Sequence, residues 1–247
     1  MARYLFIRSD DLTRDTAGLR ALGAMSERHG QVMIGAIPSQ LRLVQSCRDF
    51  CVERFSIAQH GFSHSDHTGL PASRSEYPAA RDPAAVLAEL REGRDRVREF
   101  FGPQAARDFI PPWNRFSYQF GPALAELGFR SVSTYLPAGV EVIAGVPHMG
   151  HSVNFSTSYR RDGPGPMPGD AGFQRLEIYA QRFSGTTGCE DVYGSLCLHH
   201  DMMTDVDFSR ADRFLQLAAD AGWRVCGADQ AIDGVRALMR ELLAIAG

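Results

Sequence analysis

Four short polar clusters in this chain of 247 residues carry side chains able to do chemistry: Asp10-Asp11, His60-Gly61-Phe62-Ser63-His64, Pro112-Trp113-Asn114 and His199-His200-Asp201. Asp11, His60 and His64 form a set of one carboxylate and two imidazoles, which suits Zn²⁺ or a similar divalent ion and leaves room for water. Histidines four apart point the same way if one helical turn separates them. The adjacent carboxylates suggest divided labour, because neighbouring side chains in a turn diverge: one can bind the metal while the other faces a reacting water. A plainer role is open to each residue. Either aspartate can cap a helix starting near Thr13, and a single histidine can be a solvated loop residue.

The elements that must position these clusters alternate along the chain. Tyr4 to Ile7, Gln31 to Ile37, Phe55 to Ala58, Phe109-Ile110, Ser131 to Tyr135, Leu176 to Tyr179, Ser195 to His199 and Trp223 to Cys226 read as strands. Between them, Thr13 to Arg28, Leu41 to Val52, Asp82 to Phe101, Ala123 to Leu127, Ala211 to Ala221 and Ala228 to Ile245 have helical spacing. Pro83, after Asp82, suits a helix start. Strands alternating with helices predict a parallel-strand α/β fold. In a parallel barrel the C-terminal strand ends open on one face, and all four clusters fall at strand ends. Side chains alternate along a strand, so only one of His199 and His200 is expected to point into that site. The stretch from Gly139 to Gly172 is the least regular and reads as a long loop or excursion. No domain boundary is evident, and residues 1–247 are expected to form one catalytic domain.

The bulk properties narrow the function classes. A net charge of -3 gives no electrostatic footprint for nucleic acid or an anionic membrane surface. No window reaches the apolar length of a membrane span. The apolar run at Tyr4 to Ile7 breaks at Arg8, leaving no signal-peptide core. The five cysteines are odd in number and lack a CxxC pair, so a reduced, cytoplasmic protein is the expectation.

With these residues in hand, the chain resembles the polysaccharide deacetylase superfamily (NodB homology, carbohydrate esterase family four) from about Arg8 to Asp201. The resemblance implies a single-domain, distorted (β/α)7-type TIM-like barrel of the NodB-homology kind. It maps Asp10 to the catalytic base and Asp11, His60 and His64 to metal ligands. Ile110-Pro111-Pro112-Trp113 resembles a groove wall whose backbone helps hold an oxyanion, and aligning the histidine that precedes aspartate selects His200 as general acid. Three positions depart from the family pattern. Gly61 stands where Ser or Thr is usual, and Ile110 where an arginine is usual, with Asn114 and Arg115 as candidates to steer Asp10. The acidic fourth motif has no clear counterpart, Glu177 or Arg182 standing nearest. Pro112, Trp113, Asn114, His151 and His199 are the expected substrate contacts, while His67 and His148 are extra histidines near the expected mouth.

The activity implied is metal-dependent cleavage of a carbon–nitrogen amide bond, foremost the de-N-acetylation of an N-acetylated sugar or glycan precursor. Zn²⁺ is the expected ion, with Co²⁺ or Ni²⁺ as alternatives. An allantoinase-like hydrolase of a cyclic amide or ureide on the same scaffold, and a degenerate carbohydrate-binding member, are the competing readings. The expected partner is a small-molecule or carbohydrate substrate, without nucleic acid or a membrane span, and a homo-oligomer is compatible with the sequence.

Overall fold

In the computed structural model, residues 2–70, 73–134, 141–143, 146–149, 153–155, 169–187 and 191–246 are described. The first strand, β1 (Arg3–Leu12), is the axis of a ten-stranded sheet. On one side it pairs in parallel with β9 (Val192–Leu198), which continues to β8 (Val153–Asn154). On the other it pairs with β2 (Val32–Ala36), followed by β3 (Phe55–His60), β4 (Asp108–Ile110), β5 (Ser131–Val132), β7 (Val146–His148) and β6 (Glu141–Ile143). A further strand, β10 (Trp223–Cys226), pairs with the first residues of β1. Every pairing is parallel except β6 with β7. This curled, helix-covered sheet is the distorted (β/α)7-type barrel, and its parallel strands deliver their C-terminal ends to one face.

Two helices flank the first strand pairs, and local chemistry delimits them. In α1 (Ala17–His29), the Thr16 side chain accepts from the Leu19 N–H at 3.1 Å, and Gly30, at φ 123°, closes the helix in a conformation most side chains avoid. After α2 (Gln45–Arg54) comes α3 (Pro83–Phe101), capped by Asp82 with Pro83 at its first position. Then follow α4 (Gly121–Glu126), α5 (Gly169–Thr187), α6 (Asp205–Asp220) and α7 (Ala228–Ala246). Thr204 and Asp207 form a reciprocal capping box on α6.

Alternation along β1 sorts its side chains. Leu5 and Ile7 are fully buried against the helical layer with Leu19, Leu22 and Met25, each contributing about 1.5–3 kcal/mol by leaving water. Phe6 joins Met33, Ala58, Ile110 and Met149 in a separate cluster. Arg8 and Asp10 share the face of Phe6, and both are buried.

One expected strand is a helix. Leu176 to Tyr179 lies within α5, whose buried residues Leu176, Tyr179, Ala180 and Phe183 recur at helical spacing. A four-residue apolar window conceals that period. The irregular stretch after Gly139 contains β6, β7 and β8. Among the described residues, no helix is long and apolar enough to cross a membrane.

Candidate active site

The site is built where β1 breaks its register with β2. Ser9 pairs with Ile34 and Leu12 with Ala36, so β1 carries one extra residue across Asp10-Asp11. Such a bulge re-aims side chains. Asp11 sits in the left-handed region at φ 71°, and both carboxylates turn towards the same cleft. His199 Nε2 lies 3.9 Å from Asp10 Oδ2 and 3.9 Å from Asp11 Oδ2.

His60 ends β3 and His64 follows one loop later at φ 59°. Ligand atoms of Asp11, His60 and His64 all lie within 4.8 Å of one another. Asp11 Oδ1 is 3.2 Å from His60 Nε2 and 3.5 Å from His64 Nε2. It is nevertheless buried without a donor at hydrogen-bonding angle. Three ligand atoms thus converge on a shared point rather than pairing off, and this donor set fits a divalent ion. His60 Nδ1 lies 2.9 Å from the Ile110 carbonyl, a partner that directs Nε2 towards Asp11, as metal-binding imidazoles are usually oriented.

Charge in this cluster follows from burial and proximity. Burial pushes the Asp11 carboxyl up, but the close approach and charge of His60, with His199 and His64, outweigh it and hold it well below the usual range. Burial also pushes Asp10 up, and Arg8, His60 and His199 bring it below its ordinary value. For His60 burial is outweighed by Asp11 and Asp10, so the ring is a stronger base than usual. Burial, with His60 nearby, lowers His64 to about 4.

The partner of Asp10 is Arg8, two residues earlier on the same strand. Arg8 Nη2 is 2.9 Å from Asp10 Oδ2. Its Nη1 donates to the Ser133 hydroxyl at 2.7 Å and carbonyl at 2.9 Å, and Nη2 also donates to Asn114 Oδ1. Cys197 Sγ approaches Asp10 Oδ2 at 3.7 Å. Asp10 Oδ1 is left buried with no hydrogen-bond partner. Of the two side chains expected to steer Asp10, Asn114 accepts from Arg8, while Arg115 is exposed. The period-two series Phe6, Arg8, Asp10 places the arginine on the aspartate's face, a signal present in the sequence.

His199 and His200 divide as alternation requires. Ser9 pairs with Leu198, so both face the helices, and His199 follows the inward face of Cys197. His200, the histidine selected by alignment as general acid, lies outside that cleft: its Nδ1 is 3.0 Å from Ser9 Oγ, and the ring is fully buried. Its carbonyl backs onto Gly18 of α1, where a Cβ would fall 2.1 Å from the oxygen. Next to the carboxylates the structure places His199, the residue expected as a substrate contact.

The Pro112–Asn114 turn forms the adjoining wall. Trp113 and Asn114 both have positive φ, 54° and 58°, a conformation rare for a bulky side chain. The turn lays the Trp113 ring 4.4 Å from that of His64, with the Arg74 guanidinium 5.2 Å from the indole. Pro112 is buried behind it. His148 is buried on β7 and bonds Thr134. Glu177 pairs with Arg3 and Trp223 at the opposite end of β1, and Arg182 is an exposed residue of α5, so neither stands at the site. His151 lies outside the described residues.

No protein-family model and no curated protein matches the chain. Solved structures do. The chain has the fold of the polysaccharide deacetylases of carbohydrate esterase family four. A family 4 carbohydrate esterase from Streptomyces lividans, in complex with acetate, superposes at a TM-score of 0.56 with 12% identity, over 90% of this chain and 91% of that one. A family 4 acetyl xylan esterase from Clostridium thermocellum, in complex with a cobalt ion, gives 0.58 and 10%, over 94% and 91%. A pseudoenzyme of the same family from Bacillus anthracis gives 0.59 and 10%, over 94% and 66%.

Proposed function

We propose that residues 1–247 form one catalytic domain of a metal-dependent hydrolase that cleaves a carbon–nitrogen amide bond, removing acetate from an N-acetylated sugar or glycan precursor. The observation that carries this reading is the convergence of Asp11, His60 and His64 on one point beside the unpartnered Oδ1 of Asp10. Zn²⁺ is the ion we assign, with Co²⁺ and Ni²⁺ as substitutes, since imidazole and carboxylate suit all three. When bound, it would supply Lewis acidity, polarising the acyl carbonyl and acidifying a water to a pKa of roughly 7.

The chain's own groups divide the remaining work. Asp10 Oδ1 takes the proton of the attacking water, since Oδ2 is occupied by Arg8. Arg8 keeps the carboxylate ionised and holds it by Oδ2, leaving Oδ1 without a partner among the described residues. The N–H groups of Asn114 and Arg115 are bonded to Pro111 and Pro112, so we assign the Trp113 N–H to the developing acyl oxygen. His199 Nε2 delivers a proton to the departing amine, and His200 serves as a buried support between β1 and α1. The Trp113 ring offers a sugar a stacking face. Among the described residues Cys47, Cys51, Cys197 and Cys226 are free thiols, which fits a reducing compartment such as the cytoplasm.

Acetate release tests the reading. The zinc-loaded protein is expected to liberate acetate from N-acetylglucosamine oligomers or their nucleotide- or lipid-linked precursors, and to lose that activity with a chelator. Turnover that persists unchanged in the chelator would exclude the mechanism.

A further inference from the structure

A carboxylate outside the ligand set holds the loop that carries two of its members. Glu76 is fully buried. Its Oε1 accepts from the Ser63 N–H at 2.7 Å, the Ser63 hydroxyl at 3.0 Å and the Phe62 N–H at 3.2 Å, and its Oε2 lies 3.2 Å from the same Phe62 nitrogen. These residues lie between His60 and His64. The carbonyls of the loop are held separately: Gly61 O by Gln59, Phe62 O by the Ser39 N–H, and Ser63 O by Gln40. On the N–H side, Gly61 donates to the Ile110 carbonyl, and Glu76 accepts from the next two residues, Phe62 and Ser63.

The same carboxylate explains why position 61 is glycine. Gly61 sits at φ 60°, and a Cβ there would fall 2.0 Å from Glu76 Oε2 and 2.6 Å from Pro112 Cγ. The space next to His60 is thus filled by the Glu76 carboxylate, reaching in from a later segment. That segment is tied to the Trp113 wall. Tyr77 bridges Phe116, the Ser117 N–H donates to the Tyr77 carbonyl, and Ser75 Oγ donates to the Arg115 carbonyl. Glu76 therefore couples the histidine loop to the aromatic wall, and both ends of that coupling meet where the His64 and Trp113 rings touch.

We infer that Glu76 is a positioning residue for the metal site: its buried carboxylate, binding two successive backbone N–H groups and the Ser63 hydroxyl, fixes His64 in its left-handed pose and so sets the affinity of the Asp11, His60 and His64 set without touching the ion. The inference rests on the metal-site reading above. Removing such an outer partner typically weakens metal binding about 10- to 100-fold.

The test is Co²⁺ affinity by chelator competition, with the visible spectrum of the bound ion, on wild-type protein, Glu76→Ala, Glu76→Gln and Ser63→Ala. Glu76→Ala is expected to bind about 10- to 100-fold more weakly and with an altered spectrum. Glu76→Gln, which retains one acceptor oxygen, should recover part of the loss, and Ser63→Ala should lose less than either. If Glu76→Ala does not fold, the order of the other two against wild type decides. Wild-type affinity and spectrum in folded Glu76 variants would overturn the positioning role while leaving the metal site standing. A wild-type protein that binds no Co²⁺ would overturn both.

Discussion

Arg8 Nη2 lies 2.9 Å from Asp10 Oδ2, and both side chains are shielded from solvent almost completely. An ion pair in that setting is costly to assemble and more costly to break, because removing one partner strands the other. The guanidinium spreads its donors over Asp10, Ser133 and Asn114, so one side chain ties β1 to β5 and to the Trp113 turn. Arg8→Met is expected to destabilise the fold by about 3–5 kcal/mol and to reduce turnover. Arg8→Lys should fall between, keeping the charge but not the fork. Denaturant unfolding beside steady-state rates measures both, and a fully stable, fully active Arg8→Met would refute the role.

The two aspartates are predicted to fail in different ways. Asp10→Asn removes the proposed proton acceptor and leaves the proposed ligands in place, so kcat should drop about 10²- to 10⁴-fold with metal content unchanged. Asp11→Asn removes a proposed ligand and should lose the metal first. Metal analysis alongside kinetics separates them; matching losses of metal in both variants would contradict the division of labour.

His199 and His200 offer a sharper contrast. His199→Ala is expected to lower kcat about 10²- to 10⁴-fold with the melting temperature nearly intact. His200→Ala should do the reverse, because it empties a fully buried position against Ser9 and Gly18: stability should fall by about 2–4 kcal/mol while the residual folded protein turns over normally. Inverted results would return the acid's role to His200.

Asp10, Asp11 and His60, with His64 one loop later, were legible as a candidate site because each cluster follows an apolar strand, and strand ends of a parallel barrel share a face. The residues that were harder to read depend on register. Arg8 looks like the interruption of an apolar run until its period-two relation to Asp10 is noticed. Alternation predicts that His199 and His200 point apart, but only the pairing of Ser9 with Leu198 tells which one enters the cleft. Leu176 to Tyr179 satisfied a strand pattern because four residues span too little of a helix to display its period. Glu76 carries no local signal, since its partners are set by the folding of the loop between His60 and His64.

Alkaline pH should weaken the fold. Burial pushes the thiols of Cys197 and Cys226 up to about 12, and burial also raises the Tyr193 hydroxyl to about 12. An unfolded cysteine titrates near 8.5, so above that pH the unfolded chain holds fewer protons than the folded one. The stabilisation is complete below about pH 8.5 and is lost as pH rises towards 12, at up to about 1.4 kcal/mol per pH unit for each buried thiol. Urea midpoints between pH 8 and 11 should decline steadily, and a flat profile would show that these thiols titrate alike in both states.

The central claim is that Asp11, His60 and His64 bind a divalent ion, and metal content tests it most directly. The purified protein, measured beside a His60→Ala, His64→Ala double variant, is predicted to hold close to one equivalent of Zn²⁺, Co²⁺ or Ni²⁺ that the variant lacks. No metal in either protein, with no gain in thermal stability when any of the three is added, would contradict the account and leave a carbohydrate-binding protein on a deacetylase fold.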